Sequence, residues 1–336
     1  MGVFDMAENI KIERDQKIIK ILAAQANKER VDSAAAEQVD EVVHKLAEDM
    51  SPQNMHELGQ VIAFSIDELQ KNALNFMETF ADVRNVALGD RPMYNVKTKG
   101  IKAFIQATGA TTARSYITDR QFSLNTFEIS SRPAINVWDI RMNRINMPDL
   151  IREANEQFTM IKLKKAEQVL HSGITAFGSP WYASSTGTLN KSAIDTQLKH
   201  FGRLGKITIL GDSVEDFFSI AGAQVNTNSV QYSGSMLDEM NNNGYIGKYL
   251  GASLVKLTNA YEDDGVTPVL NPDWFYILVS GVSKDQMNLK VLNEGPVYSM
   301  TQQTIDDHTF ETELQQRYGA GYVVGNKPTS GAHEIL

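Results

Sequence analysis

The sequence predicts an α+β chain: helices first, then an extended β-hairpin, one long helix and a compact unit of mixed strands and helices. Three observations carry this. Apolar residues recur at helical spacing up to about residue 90, and from Pro92 the period changes to two. Two alternating runs rich in Lys, Thr and Asn, Pro92 to Thr108 and Gln121 to Trp138, lead directly into an amphipathic stretch from Pro148 to His171. A hairpin that long, polar on one face and modestly apolar on the other, has too little material for a core of its own. It is expected to complete itself against another copy of the protein, which points to a building block rather than an enzyme.

Residues 6 to 90 are expected to be helices and little else. Ile10, Arg14, Ile18, Ile21 and Leu22 fall at helical spacing, and Val39, Val42, Val43 and Leu46 mark a second stretch over Ala34 to Asp49. Ser51 reads as an N-cap with Pro52 at the first helical position. Behind it Leu58, Ile62, Ile66 and Leu69 form a stripe that Leu74, Met77 and Phe80 extend. The stripes are narrow, so these helices are expected to lie as an arm across a surface rather than to form a separate domain.

In the first hairpin strand Tyr94, Val96 and Thr98, then Ile101, Ala103 and Ile105, alternate with Asn95, Lys97, Lys99, Lys102 and Phe104. Gly100 marks a bulge or bend, and Gly109 to Thr118 has the composition of a flexible tip. The return strand carries Phe122, Leu124, Thr126 and Glu128 on one phase, then Ile135 and Val137. Strands of about 15 residues exceed the usual five or six, so a neighbour must bury the apolar face. The candidate inter-subunit contacts are therefore Lys97, Lys99, Lys102, Phe104, Phe122 and Leu124 on the hairpin, with Ile62 and Ile66 on the arm. The three lysines admit two readings. They meet an acidic surface of a neighbour, such as the N-terminal arm, or they form a solvated face that deters edge pairing.

The long helix starts at Pro148, with Asp149 and Glu153 at the positive end of its dipole and Gly173 as C-terminal cap. Ile151, Ala154, Phe158, Ile161, Lys165 and Val169 recur every three or four residues, and roughly 24 residues span about 36 Å. It is expected to be the spine of the fold. From residue 190 to 295 a compact α/β unit is expected. Asn190 caps a helix that runs to Phe201 and ends at Gly202, and Lys206 to Leu210 is a buried strand. Asp212 and Glu215 start a helix through Phe217, Phe218 and Ile220, and strands follow at Ala252 to Leu257 and Trp274 to Val279. Asn226 to Gly244 reads as a loop. Thr309 to Tyr318 and Tyr322 to Val324 read as strands returning to the spine.

Composition bounds the function. The chain has 336 residues with 42% hydrophobic and 22% charged content, ordinary for a globular protein. It lacks Cys, which excludes disulfides and thiolate metal sites. No apolar stretch approaches the roughly 20 residues of a membrane span, and the first residues lack the regions of a signal peptide. A soluble chain, intracellular where it is made, is expected. Of the net charge of −9, residues 1–90 hold nearly all, with 9 Lys+Arg against 17 Asp+Glu. A protein gripping nucleic acid needs a basic stripe, and none is present.

The residues offer little chemistry. The six histidines, His44, His56, His171, His200, His308 and His333, stand at no metal-ligand spacing. Asp306-Asp307-His308 is dense enough for acid/base work but reads more simply as an exposed turn. Glu262-Asp263-Asp264-Gly265 lacks the alternating ligands and closing Glu of a calcium loop and reads as a hairpin turn. Gly319-Ala320-Gly321-Tyr322-Val323-Val324-Gly325 has its third Gly one residue late for a dinucleotide loop and reads as close-packed strands. No catalytic, cofactor or metal residue is assigned.

The order of elements resembles the major capsid proteins of tailed phages, the Hong Kong 97 fold. Further echoes are Arg132-Pro133-Ala134-Ile135-Asn136-Val137, Gly247-Lys248-Tyr249-Leu250-Gly251-Ala252, and Thr309-Phe310 with Tyr318-Gly319-Ala320-Gly321-Tyr322-Val323-Val324. The resemblance covers most of the chain and is one of architecture. It implies an N-terminal helical arm (1–90), an extended loop hairpin (91–136) and a peripheral domain (137–188) with its spine helix at 148–171. An axial domain (189–294) and a return to the peripheral domain with a C-terminal tail (295–336) follow. The chain begins at Met1, so an arm that is unprocessed or itself structural is expected. The resemblance further implies self-assembly through pentamers and hexamers into an icosahedral shell in the host cytoplasm. Its implied partners are scaffolding, portal and decoration proteins, and its contents double-stranded DNA enclosed without specific binding. It implies no cofactor, membrane or enzymatic activity. An encapsulin-like compartment shares the fold and is the nearest alternative, against which the long arm counts. A soluble enzyme using Asp306 and His308 is the alternative from another class.

Overall fold

The computed structural model describes residues 16–48, 51–73, 77–78, 80–99, 114, 118–136, 138–139, 142, 146–187, 189–212, 247–257, 259–262, 264–304, 309–324 and 328–336. The expected helix through Phe217, the loop 226–244 and the Asp306-Asp307-His308 cluster lie outside them.

Three helices open the chain: α1 (Gln16–Ala26), α2 (Ser33–Glu48) and α3 (Pro52–Ala73). Ser51 accepts from the backbone N–H of Asn54 at 3.3 Å, as its reading as N-cap requires. They lie across a surface of this same chain. Leu22, Leu58, Ile62 and Ile66 are each at most 1% exposed. They share one core with the spine helix and a five-stranded sheet of this same chain. Gly59 of α3 sits so close to the sheet that a Cβ there would come within 2.2 Å of Thr301 Cγ2. The expectation that the arm's stripes wait for a sister molecule is overturned.

The five-stranded sheet runs β1 (Ala81–Val86), β11 (Leu289–Thr304), β12 (Thr309–Tyr322) and β4 (Phe127–Ser131), with β5 (Ala134–Asn136) also paired to β12. Residues 6–90 are therefore not helices alone, since β1 pairs in parallel with the start of β11. Along β12 Phe310, Thr312, Leu314, Gln316 and Tyr318 are buried while the residues between them are not, a period of two that faces the core. The expected break after Tyr318 is absent. β12 continues to Tyr322, and Val323 and Val324 lie beyond it. The expected return strand Gln121 to Trp138 divides into three: β3 (Thr118–Phe122), β4 and β5. Only β3 pairs with β2 (Tyr94–Lys99) as a hairpin.

The spine helix α4 spans Met147–Thr175, longer than expected at both ends. Ile151, Ala154, Phe158, Lys162, Ala166, Leu170 and Ile174 are its buried stripe, spaced three then four apart. Gly173 does not cap it. The helix runs past Gly173, whose missing Cβ leaves room for the Tyr322 ring, 2.2 Å from where that atom would stand.

A six-stranded sheet follows in the order β6 (Tyr182–Ser185), β13 (Ser330–Ile335), β10 (Trp274–Ser280), β7 (Lys206–Gly211), β9 (Ala252–Lys256) and β8 (Lys248–Tyr249). β10 is buried on both faces, which explains its unbroken apolar run. Tyr276 and Leu278 join the core beneath the spine helix, while Phe275, Ile277 and Val279 join a second core. That second core is closed by Ile194, Leu198 and Phe201 of α5 (Lys191–Phe201). Asn190 caps α5 as expected, accepting from Ser192 and Ala193 backbone N–H groups. The boundary expected at Glu294 falls inside β11, and the segment expected as a returning tail ends as β13 within the six-stranded sheet.

Candidate assembly surface

The hairpin β2–β3 forms a two-stranded sheet of its own, and its root is built from residues distant in sequence. Tyr94 is fully buried, stacks on Phe122 with ring centroids 5.4 Å apart, and donates to the Val291 carbonyl at 3.3 Å. Arg84 of β1 lies over the Tyr94 ring at 4.2 Å and donates to Asp82 and to the Met93 carbonyl. Leu124 and Leu292 complete this small apolar cluster. Leu124 packs so tightly on β12 that a Cβ at Gly321 would sit 2.4 Å from it. Gly319 and Gly321, read from sequence as part of close-packed strands, act as such, and Gly325 lies outside the described residues.

One carboxylate ties both ends of the hairpin to the sheet. Glu294 of β11, 4% exposed, accepts from the Gly89 N–H at 2.9 Å and from the Thr126 hydroxyl at 2.7 Å. Gly89 precedes the hairpin and Thr126 follows it. The Thr126 and Gly89 hydrogen bonds, with Arg317 nearby, hold the Glu294 carboxyl below its ordinary value. Beside this root Lys290 and Asp82, 1% and 3% exposed, form an ion pair at 3.2 Å. Lys290 also donates to the Lys284 carbonyl at 2.8 Å. Burial lowers the Lys290 pKa, and Asp82 offsets part of that.

Two further buried charges hold the spine helix. Lys162 is fully buried and donates to the side-chain oxygens of Gln70 on α3 and Gln316 on β12. Burial pushes its pKa down to about 7, with Asp67 acting against it. Glu167 accepts from the Asn271 N–H at 3.2 Å, and burial raises it to about 7. These groups join elements to one another. Among the described residues no group of three or more His, Cys, Asp or Glu is placed to hold a metal ion. No described helix is long and apolar enough to cross a membrane.

The candidate contact residues fare differently. Ile62 and Ile66 are 1% and 0% exposed within the chain itself, so they have no surface to offer a neighbour. Leu124 is buried in the hairpin root and Phe122, half-buried, is stacked there. Lys97 and Lys99 stand on β2, opposite Asp119 and Thr118 with a bulge between them. Lys102 and Phe104 lie outside the described residues. Asp264 is a turn residue, as expected, accepting from the Val266 and Thr267 N–H groups at 2.9 and 2.8 Å. Sequence reasoning missed Glu294, Lys162, Lys290 and Asp82, because each acquires its partner from a segment far along the chain. The expected stripe placed Lys165 inward, whereas Lys165 is exposed and Lys162 is the buried lysine.

Comparison with known proteins agrees with this architecture. Residues 5–330 match the family described as "SPbeta prophage-derived putative capsid protein YonB". No curated protein matches the sequence. Among solved structures the chain is similar to one from Microbacterium phage Oxtober96, at 10% identity and a TM-score of 0.51, over 77% of this chain and 90% of that one. It is also similar to the mature capsid of bacteriophage PhiM1 (10% identity, TM-score 0.48, 78% and 87% covered). A structure from Mycobacterium phage Adephagia gives 15% identity, a TM-score of 0.47, and 76% and 88% coverage. The α+β fold expected from the order of elements is shared with the Oxtober96 structure, and the family match identifies it as a capsid fold. A match over nearly the whole length decides the family: the chain belongs to the YonB family of prophage-derived capsid proteins.

Proposed function

We propose that this chain is the major capsid protein of a tailed double-stranded DNA phage or prophage, a structural subunit that assembles with copies of itself through hexamers and pentamers into an icosahedral shell. The observation that carries the reading is the family match over residues 5–330. It favours a phage head over an encapsulin-like compartment. The role is structural rather than catalytic, and the buried charges described above fit it, since they join secondary-structure elements within the subunit. In this reading the β2–β3 hairpin, with Lys97, Lys99, Lys102 and Phe104, lies on a neighbouring subunit, and the six-stranded sheet forms the axial domain. The DNA is enclosed rather than gripped, as a net charge of −9 favours. Assembly in the host cytoplasm, with scaffolding, portal or decoration proteins as partners, belongs to the same proposal.

Electron microscopy of the purified full chain over a range of salt concentrations tests it. Rings or closed shells are expected. A monodisperse monomer under all conditions, alone and with the neighbouring genes co-expressed, refutes it.

A further inference from the structure

The last strand of the chain occupies an inner position of the six-stranded sheet. β13 pairs in parallel with β6 and antiparallel with β10, and β6 has no other strand partner among the described residues. Docking of residues 330–335 therefore joins β6 to the rest of the sheet. Both faces of β13 carry polar contacts to different elements. On the face toward the spine helix, Glu334 accepts from the Tyr182 hydroxyl of β6 and from Trp274 Nε1 of β10 at 3.1 Å. His171 of α4 lies there too, its ring stacked on that of Trp274 at 3.7 Å and its Nε2 3.6 Å from Glu334. On the opposite face His333, fully buried, pairs through Nε2 with the Ser185 hydroxyl of β6 at 3.0 Å. Its cross-strand neighbour on β10 is Phe275, and from α5 Gln197 donates to the Ala332 carbonyl at 3.0 Å. Nδ1 of each histidine is buried without a hydrogen-bond partner.

We propose that β13 is an acid-released latch, in which protonation of His333, assisted by His171, undocks the C-terminal strand and with it β6 from the six-stranded sheet and the end of the spine helix. Among the described residues no carboxylate opposes a charge on His333, and burial lowers its pKa. His171 differs, because Glu334 faces it and offsets part of the burial cost; Tyr182 and Tyr276 are further titratable groups near Glu334 on that face. Burial still prevails, so both rings prefer to be neutral while the strand is docked.

The sign follows from linkage. The docked His333 pKa lies at about 4, below the ordinary 6.5, so the released strand takes up protons that the docked one refuses. Stability of the docked state is intact above pH 6.5 and falls as the pH drops toward 4. Between pH 7.5 and 5 His333 alone raises the released-to-docked ratio about 30-fold.

Hydrogen exchange of the purified full chain at pH 7.5 and pH 5, corrected for intrinsic rates, reads this ratio. Amides of β6 and β13 are expected to lose about 30-fold more protection than those of β11 and β12. His333→Gln, which keeps a partner for Ser185, is expected to remove most of that pH dependence. Equal losses in both sheets, or an unchanged pH response in H333Q, overturn the proposal. Should H333Q fail to fold, the His333 ring resonances of the wild-type chain decide. A ring still neutral at pH 5 supports the latch, and one that titrates near its ordinary value overturns it.

Discussion

Replacing Lys162 by Met tests how the spine helix is held. The Lys162 side-chain nitrogen is fully buried among α3, α4 and β12, where it donates to the amide oxygens of Gln70 and Gln316. A neutral amine has two N–H groups, which match Gln70 and Gln316 without a third left over. A folded pKa of about 7 against an ordinary 10.5 means that at pH 7 the folded chain forgoes about 4 kcal/mol relative to a lysine left in water. Because the pKa is lowered on folding, the unfolded chain binds the extra proton and stability rises with pH through this window. From pH 7 to pH 9 the rise is about 2 kcal/mol, and the window stops short of tyrosine ionisation. Met fills the same volume and removes the titration, but it strands two buried acceptors at about 1–3 kcal/mol each. Lys162→Met is therefore expected to leave stability at pH 7 within about 2 kcal/mol of wild type, while abolishing the rise toward pH 9. Urea unfolding of unassembled subunits at pH 7, 8 and 9 measures both. A wild-type midpoint that is flat over this range, or a variant that retains the rise, refutes the placement of this side chain.

Three other perturbations probe the hairpin and the helix. Glu294→Ala removes the acceptor shared by Gly89 and Thr126 and is expected to cost about 3 kcal/mol, at roughly 1.5–3 per charge-assisted bond. It should accelerate hydrogen exchange in β2 and β3 before any other described strand. Because the Glu294 pKa is depressed, its contribution is present above about pH 4.5 and lost as the pH falls through its lowered value, so wild type and variant should converge in acid. Gly173→Ala would gain about 1 kcal/mol in an open helix, but here the new Cβ meets the Tyr322 ring, and a net loss of about 1–2 kcal/mol in thermal or urea unfolding is expected. Charge reversal of Lys97, Lys99 and Lys102 together should leave subunit unfolding unchanged and abolish shells in electron microscopy; shells of normal yield would remove these lysines from the interface.

The helices and the buried strands were legible because their periods are local. The spine helix shows its core stripe from Ile151 to Phe158 at steps of three and four, but the expected continuation through Ile161, Lys165 and Val169 is displaced by one residue onto Lys162, Ala166 and Leu170. β10 shows a two-faced burial as an unbroken apolar run. What the sequence hides is the identity of the covering surface. The stripe through Leu58, Ile62 and Ile66 is equally narrow whether it meets a sister molecule or its own sheet, and here it meets its own. β1 was illegible for a related reason. Its pairing with β11 joins Ala81 to Leu289, and nothing within Ala81–Val86 marks that partner. Gly173 shows a third kind of ambiguity, since a glycine near a helix end serves a left-handed cap and a close approach equally well, and only Tyr322 distinguishes them.

Sealing of the N-terminal helices moves the physical case for assembly onto the hairpin. The arm's narrow stripes and a ribbon had all counted as uncovered surface, and the stripes over α1, α2 and α3 are now accounted for within one chain. The ribbon is not. β2 and β3 pair only with each other among the described strands, and their apolar support is the small cluster of Tyr94, Leu124 and Leu292 at the root. A two-stranded ribbon is marginal in water without a surface to pack on. The root is nevertheless anchored with unusual care, by a buried ion pair, a stacked tyrosine and a carboxylate that grips both ends. Such anchoring does little for the stability of the ribbon beyond it, but it fixes the direction in which the ribbon leaves the body. Fixing that direction lowers the ordering cost that docking onto a neighbour must overcome. In the proposed shell, an element aimed by its base yet short of its own core is the one expected to take its missing contacts from another copy.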